Sequence, residues 1–153
     1  MERIVSKSEI DLFLAQRKLA VVGVSRDTRQ FANSAYRLLR TRGYTVYPVN
    51  PHAARVEGDR CFPAIASLPE KVDGVVIFLP PEKTMEVLPE IAKAGIQFVW
   101  LQQQTESPQA ILFCSNHHMN VVYGECLMMY VEPVNVLHRM HRWAKKVTGT
   151  LPH

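Results

Sequence analysis

Short runs of consecutive apolar residues alternate along this chain with stretches whose apolar positions recur at helical spacing. Leu19–Val24, Tyr44–Val49, Val72–Leu79, Gln97–Leu101 and Asn120–Tyr123 are the runs, and each reads as a strand. Asn50–Pro51 and Pro80–Pro81 stop two of them. Between the first two, Phe31, Ala35, Leu38 and Leu39 fall on one side of a helix predicted over Phe31–Arg42, with Gly43 at its end. Glu82–Ala94 is predicted helical up to Gly95, with Pro89 forcing a kink or a late start. Ser107–His118 is a further helix that begins with Pro108 in its first turn. Ser6–Lys7–Ser8–Glu9 has capping-box spacing ahead of Ile10, Leu12 and Phe13, which predicts a leading helix over Ser8–Gln16. His52–Pro63 reads as a connecting loop or small excursion, Ala64–Leu68 as a helical turn, and Pro133–Val147 as a final helix.

Strands alternating with helices predict an α/β fold with a parallel, doubly wound sheet of about five strands and right-handed crossovers. The length of 153 residues suits one domain, and 47% hydrophobic with 21% charged residues argues against global disorder. The domain is expected over residues 1–132, with a basic C-terminal helix in 133–153 packed on it or extending it. Met1–Ser8 carries charges and no apolar core of a secretory signal, and the apolar runs fall short of the roughly 18 residues of a membrane span. The chain is therefore expected to be soluble and cytoplasmic.

Charge is unevenly placed. Arg139, Arg142, Lys145 and Lys146 lie in a tail without acids and account for the net charge of +4, so the remainder is balanced. A neutral body with one basic tail is not the footprint of a nucleic-acid binder. The tail could instead serve self-association or a protein partner. The three cysteines, Cys61, Cys114 and Cys126, are far apart and in no ligand spacing, so they read as reduced thiols in or near the core.

The centre of function is the turn after the first strand, Gly23–Val24–Ser25–Arg26–Asp27, which leads into a helix. Such a turn directs backbone N–H groups at the positive end of a helix dipole and suits a phosphate. The dinucleotide fingerprint is incomplete, because only Gly23 of its glycines is present and Asn50 stands where an acidic residue would bind a ribose. An NAD(P)-dependent oxidoreductase is thus a weaker alternative. No phosphate loop ending in Gly-Lys-Ser/Thr is present. A nucleophile elbow at Ser25, with His117 or His118 as base, lacks its closing glycine, since Asp27 occupies that place. His138 and His141 could share a helix face but lack a third ligand, so no metal site is expected. What remains is Gly23, Ser25 and Arg26 facing two strand ends stopped by Asn50–Pro51 and Leu79–Pro80–Pro81. Arg26 can answer a phosphate, and the prolines can floor an adenine.

These residues resemble the small bacterial and archaeal CoA-binding proteins, which are similar to the nucleotide-binding domain of the succinyl-CoA synthetase α subunit. Val21–Asp27 and Gly43–Pro51 carry the likeness, and Gly58 with Cys61, Val76–Pro81, Val99–Gln102 and Gly124–Glu125–Cys126 continue it in order. The resemblance implies a Rossmann-like three-layer α/β/α domain that binds coenzyme A or an acyl-CoA at the C-terminal ends of the strands. It implies phosphates at Gly23, Val24, Ser25 and Arg26, and the nucleotide beside Val49, Asn50 and Pro51. Leu79, Pro80 and Pro81 would border the adenine, with Leu101 and Gln102 on the far rim. The pattern departs at one place: the family usually has glycine after Trp-x-Gln, and this chain reads Gln102–Gln103–Gln104. The phosphohistidine of the synthetase lies in a domain this chain lacks, so no histidine inherits it. Nothing supplies an activated nucleophile or a paired acid and base, and the expectation is binding without catalysis.

Overall fold

The computed structural model describes residues 5–131. The predicted basic helix in the tail lies outside them. Five strands, β1 (Lys18–Val22), β2 (Thr45–Val49), β5 (Gly74–Ile77), β6 (Phe98–Leu101) and β7 (Asn120–Val122), form one parallel sheet in the order β2-β1-β5-β6-β7. Pairing runs Val21 with Pro48 on one side of β1 and Val21 with Val76 on the other. Four helices accompany the sheet: α1 (Lys7–Leu14), α2 (Phe31–Thr41), α3 (Pro81–Lys93) and α4 (Pro108–Asn116).

Alternation along the strands sorts the core into two layers. Ala20, Val22, Val75, Ile77, Val99 and Leu101 pack against Leu88 and Ile91 of α3 and Ala110 and Cys114 of α4. Leu19, Val21, Val76, Trp100 and Val122 pack on the other face against Ile10 and Phe13 of α1 and Tyr36 and Leu39 of α2. Phe13 meets Trp100 edge-on at 5.4 Å between ring centroids. The chain leaves β1 in one direction under α2 and leaves β5 in the opposite direction under α3 and α4. Opposite directions on opposite faces keep every crossover right-handed. The predicted three-layer fold is therefore the observed one.

Local signals hold, with shifts at the ends. The capping box at Ser6 and Glu9 starts α1 one residue earlier than predicted. Ser107 caps α4, its hydroxyl accepting from the Ala110 N–H. Of the kink or late start predicted from Pro89, the late start is corrected: α3 opens at Pro81, where a missing N–H costs nothing, and runs past Pro89 to Lys93. His117 and His118 follow α4 rather than lying in it, with His117 capping the end and stacking on Phe113 at 4.0 Å.

The segment read as a connecting loop holds a hairpin, β3 (Arg55–Val56) and β4 (Asp59–Arg60). Its two-residue turn, Glu57–Gly58, has positive φ at both positions, 51° and 78°, as a tight hairpin of this hand requires. Glycine takes that conformation freely, whereas Glu57 is held in it by α2. Arg37 Nη1 donates to Glu57 Oε1 at 2.5 Å, and Arg40 Nη1 donates to Asp59 Oδ2 at 2.8 Å and to the Glu57 carbonyl at 3.0 Å. The arginines on the polar side of α2 thus bolt the hairpin to it.

Candidate functional site

The strand order reverses between β1 and β5, and in open α/β sheets ligands sit outside the carboxyl ends of strands at such a point. Two cavities open there and meet at Gly23 and Leu79. The larger, about 770 Å³, lies between the start of α2 and the loop after β6, with Ser25, Phe31, Phe78, Gln103 and Thr105 on its walls. The smaller, about 520 Å³, lies between the end of β2 and α3, with Asn50, Pro51, Ala64, Lys83 and Val87 around it.

The turn that joins them is braced from several sides. Gly23 has φ +105°, and a Cβ there would lie 2.6 Å from the Phe78 carbonyl oxygen, so the end of β5 itself demands glycine. Its N–H donates to the Val49 carbonyl at 3.2 Å. Asn50 Nδ2 donates to the Val24 carbonyl at 2.9 Å, while Asn50 Oδ1 accepts from the His52 N–H at 2.8 Å. Asn33, fully buried on α2, clasps Ser25: its Oδ1 accepts the Ser25 N–H at 2.9 Å and its Nδ2 donates to the Ser25 carbonyl at 2.7 Å. The same Nδ2 reaches Glu57 Oε2 at 3.3 Å. Burial pushes the Glu57 carboxyl up, but the bonds from Arg37 and Asn33 outweigh it and hold the group below its ordinary range.

Because Asn33 occupies the Ser25 N–H, the donors free for an anion lie further along. The first N–H groups of α2, on Phe31 and Ala32, have no acceptor among the described residues, and α2 has no side-chain cap and no acid in its first turn. Gln30, Phe31 and Ala32 all line the larger cavity. Asp27 stands just ahead, with its charge answered by Arg29, whose Nε donates to Oδ1 at 3.0 Å.

The residues expected at the site separate accordingly. Gly23, Ser25, Val49, Asn50, Pro51, Leu79, Pro80 and Gln102 line one or both cavities. Val24 and Leu101 are fully buried, backbone included, and line neither cavity. Arg26 is exposed and lines neither cavity, and neither does Pro81, the first residue of α3. His117 and His118 lie at the end of α4, which runs back to the edge of the sheet opposite Ser25, so no elbow forms. Among the described residues no group of three or more His, Cys, Asp and Glu could hold a metal ion, and no helix is long and apolar enough to cross a membrane.

The glutamine run does not close the site. Gln103 and Gln104 stand on the cavity wall, and Gln103 Nε2 donates to the Gly124 carbonyl at 3.3 Å, tying the loop after β6 to the loop after β7. Gln104 takes φ 75°, the left-handed conformation that glycine adopts without strain. Sequence reasoning missed Gln30, Phe31, Ala32 and Lys83 as lining residues. The one signal for the first three was the helix start itself, which follows from the spacing after Phe31.

Comparison with known proteins shows what the chain is similar to. The family described as CoA binding domain matches residues 17–132. An ADP-forming acetate–CoA ligase II from Archaeoglobus fulgidus is 34% identical over 89 residues, which are 57% of this chain but 13% of that enzyme. The α subunit of the corresponding ligase from Pyrococcus furiosus is 29% identical over 59% of this chain and 20% of its own length. The chain therefore corresponds to a fraction of those enzymes. Among solved structures, a conserved hypothetical protein from Pyrococcus furiosus is 32% identical with a TM-score of 0.69, covering 72% of this chain and 96% of that one. A hypothetical protein from Pyrococcus horikoshii has a TM-score of 0.78 at 29% identity, covering 88% and 99%.

Proposed function

The chain belongs to the CoA binding domain family, and on that premise we propose that it binds coenzyme A or an acyl-CoA across the two cavities without catalysis of its own. The observation that carries the reading is the start of α2, where the N–H groups of Phe31 and Ala32, residues that line the larger cavity, have no acceptor among the described residues. Bare helix N-terminal donors favour phosphate oxygens through both hydrogen bonding and the helix dipole. The smaller cavity fits the adenine: Val49, Pro51, Leu79 and Val87 offer apolar surface, and Lys83 on its rim can meet a further phosphate. The larger cavity fits the pantetheine arm, since Ser25, Gln102, Gln103 and Gln104 offer donors and acceptors for an amide-bearing chain. Asn50 supports this over a dinucleotide, because both ends of its side-chain amide brace the turn and it stands at the end of β2 where a carboxylate would take ribose hydroxyls.

The test is titration calorimetry with CoA, acetyl-CoA, NAD and NADP on the parent chain and on Gln30→Asp. Gln30 is the N-cap of α2 and makes no capping bond. Aspartate there caps the helix and raises stability by about 1 kcal/mol, while its charge and its hold on the same N–H groups lower CoA affinity by about tenfold or more. Tighter binding of NADP than of CoA, or unchanged CoA affinity in a stabilised Gln30→Asp, would refute the reading.

A further inference from the structure

The three thiols of the described chain are all buried, yet they differ in what they face. Cys114 lies within α4 in the core, and burial pushes its thiol up to about 11. Cys61 sits behind the hairpin with its Sγ 3.7 Å from the Asn50 carbonyl, and burial pushes it up as well. Cys126 alone of the three lines the larger cavity.

A second group beside it points to a ligand. Gln102 is 6% exposed and lines the same cavity. Its Oε1 accepts the N–H of Leu127, the residue after Cys126, at 3.1 Å. That bond fixes which end of the amide turns away from the protein. The other end, Nε2, has no partner among the described residues and is left to the cavity. The atom is not sealed in the protein, so it stays open to the cavity and available to an acceptor that enters it. The loops that carry the two groups are held together by Gln103 Nε2 on the Gly124 carbonyl and by Trp100 Nε1 on the Glu125 carbonyl at 3.2 Å. A thiol and an amide donor without a partner among the described residues therefore line one cavity together with the start of α2.

We propose that Cys126 is a thiol-exchange site for the disulfide form of the bound ligand, with Gln102 Nε2 donating to the amide carbonyl next to the reacting sulfur. The inference rests on the CoA reading above. With anionic phosphates at α2, an arm that crosses the cavity ends in a thiol at the Cys126 wall. The co-reactant is CoA disulfide, which brings its own oxidising equivalents. Cys126 gives up its proton and its sulfur attacks the nearer sulfur of the disulfide. The ligand S–S bond breaks, a Cys126–S–S–CoA bond forms, and the second CoA leaves as a thiolate that takes up a proton. The step is stoichiometric, and a dithiol reductant reverses it.

The experiment is intact-mass and peptide-mapping spectrometry under non-reducing conditions, after incubation of the full chain with CoA disulfide or with glutathione disulfide. CoA calorimetry runs in parallel. The expected result is one CoA per chain, mapped to Cys126 and not to Cys61 or Cys114. It should be removed by dithiothreitol, slowed by excess acetyl-CoA and absent in Cys126→Ser. Bound in the cavity, CoA disulfide should react about a hundredfold faster than glutathione disulfide. Gln102→Glu keeps the acceptor for Leu127 and removes the donor, and should slow exchange by about tenfold. CoA binding without an adduct on Cys126, or equal rates with the two disulfides, would overturn the proposal and leave the CoA reading standing. No CoA binding at all would overturn both. Mapping on the parent chain identifies the modified thiol even if the serine variant misfolds.

Discussion

Asn33→Ala tests how the ligand-facing turn is held. Asn33 is fully buried, and its amide makes the two bonds that clasp Ser25 together with the longer one to Glu57. Each neutral bond is worth about 1 kcal/mol net, and leaving a buried partner unsatisfied costs about 1–3 kcal/mol. Water entering the vacated space can satisfy part of the debt, so the expected loss is about 2–4 kcal/mol. Urea unfolding followed by far-ultraviolet circular dichroism reads it as a lower midpoint with an unchanged slope. CoA affinity should fall too, because Ser25 lines the larger cavity and the turn leads into α2. Asn33→Asp is the sharper variant: it keeps the acceptor for the Ser25 N–H but sets a carboxylate against both the Ser25 carbonyl and Glu57. It should destabilise at least as much as alanine. A loss below about 0.5 kcal/mol for Asn33→Ala would refute the argument, since surface substitutions without partners fall in that range.

Three further outcomes follow from the same geometry. Gln104→Gly should leave stability unchanged or raise it by up to about 1 kcal/mol, since removing left-handed strain is partly offset by a freer unfolded chain; a thermal melt shows it, and a clear loss would mean the side chain packs. Gly23→Ala should cost about 3 kcal/mol or more, because the new methyl meets a backbone carbonyl that cannot move aside, and the denaturation midpoint reports it. For pH, the depressed Glu57 carboxyl means that the unfolded chain binds its proton first as pH falls. Its contribution is complete above the ordinary carboxyl range and is lost as pH drops through the folded value, so Glu57→Gln should flatten the acid limb of stability against pH. An unchanged acid limb in that variant would count against the ion pair with Arg37.

Most of the fold was legible because its signals are local. Strand runs such as Leu19–Val22 and Val75–Ile77 are apolar on both faces, and only a parallel sheet covered on two sides buries them so. Ser6 with Glu9 and Ser107 set helix starts through bonds spanning three residues, and those starts appear where the chain implies, within a residue. The place of the two cavities was also legible, because parallel strands put their carboxyl ends on one edge of the sheet. Tertiary structure decided which groups there are free. Nothing near Ser25 in sequence shows that Asn33 takes its N–H, or that Glu57 holds left-handed geometry through Arg37. Nor could spacing tell that Arg26 is left off both cavity walls while Gln30, Phe31 and Ala32 line the larger one. Cys61, Cys114 and Cys126 are equivalent in composition, and only the packing of loops far apart in the chain sets one of them on a cavity. Local pattern fixes what an element is, because its energetics close within a few residues. Which polar atom is left over depends on every partner the folded chain brings to it.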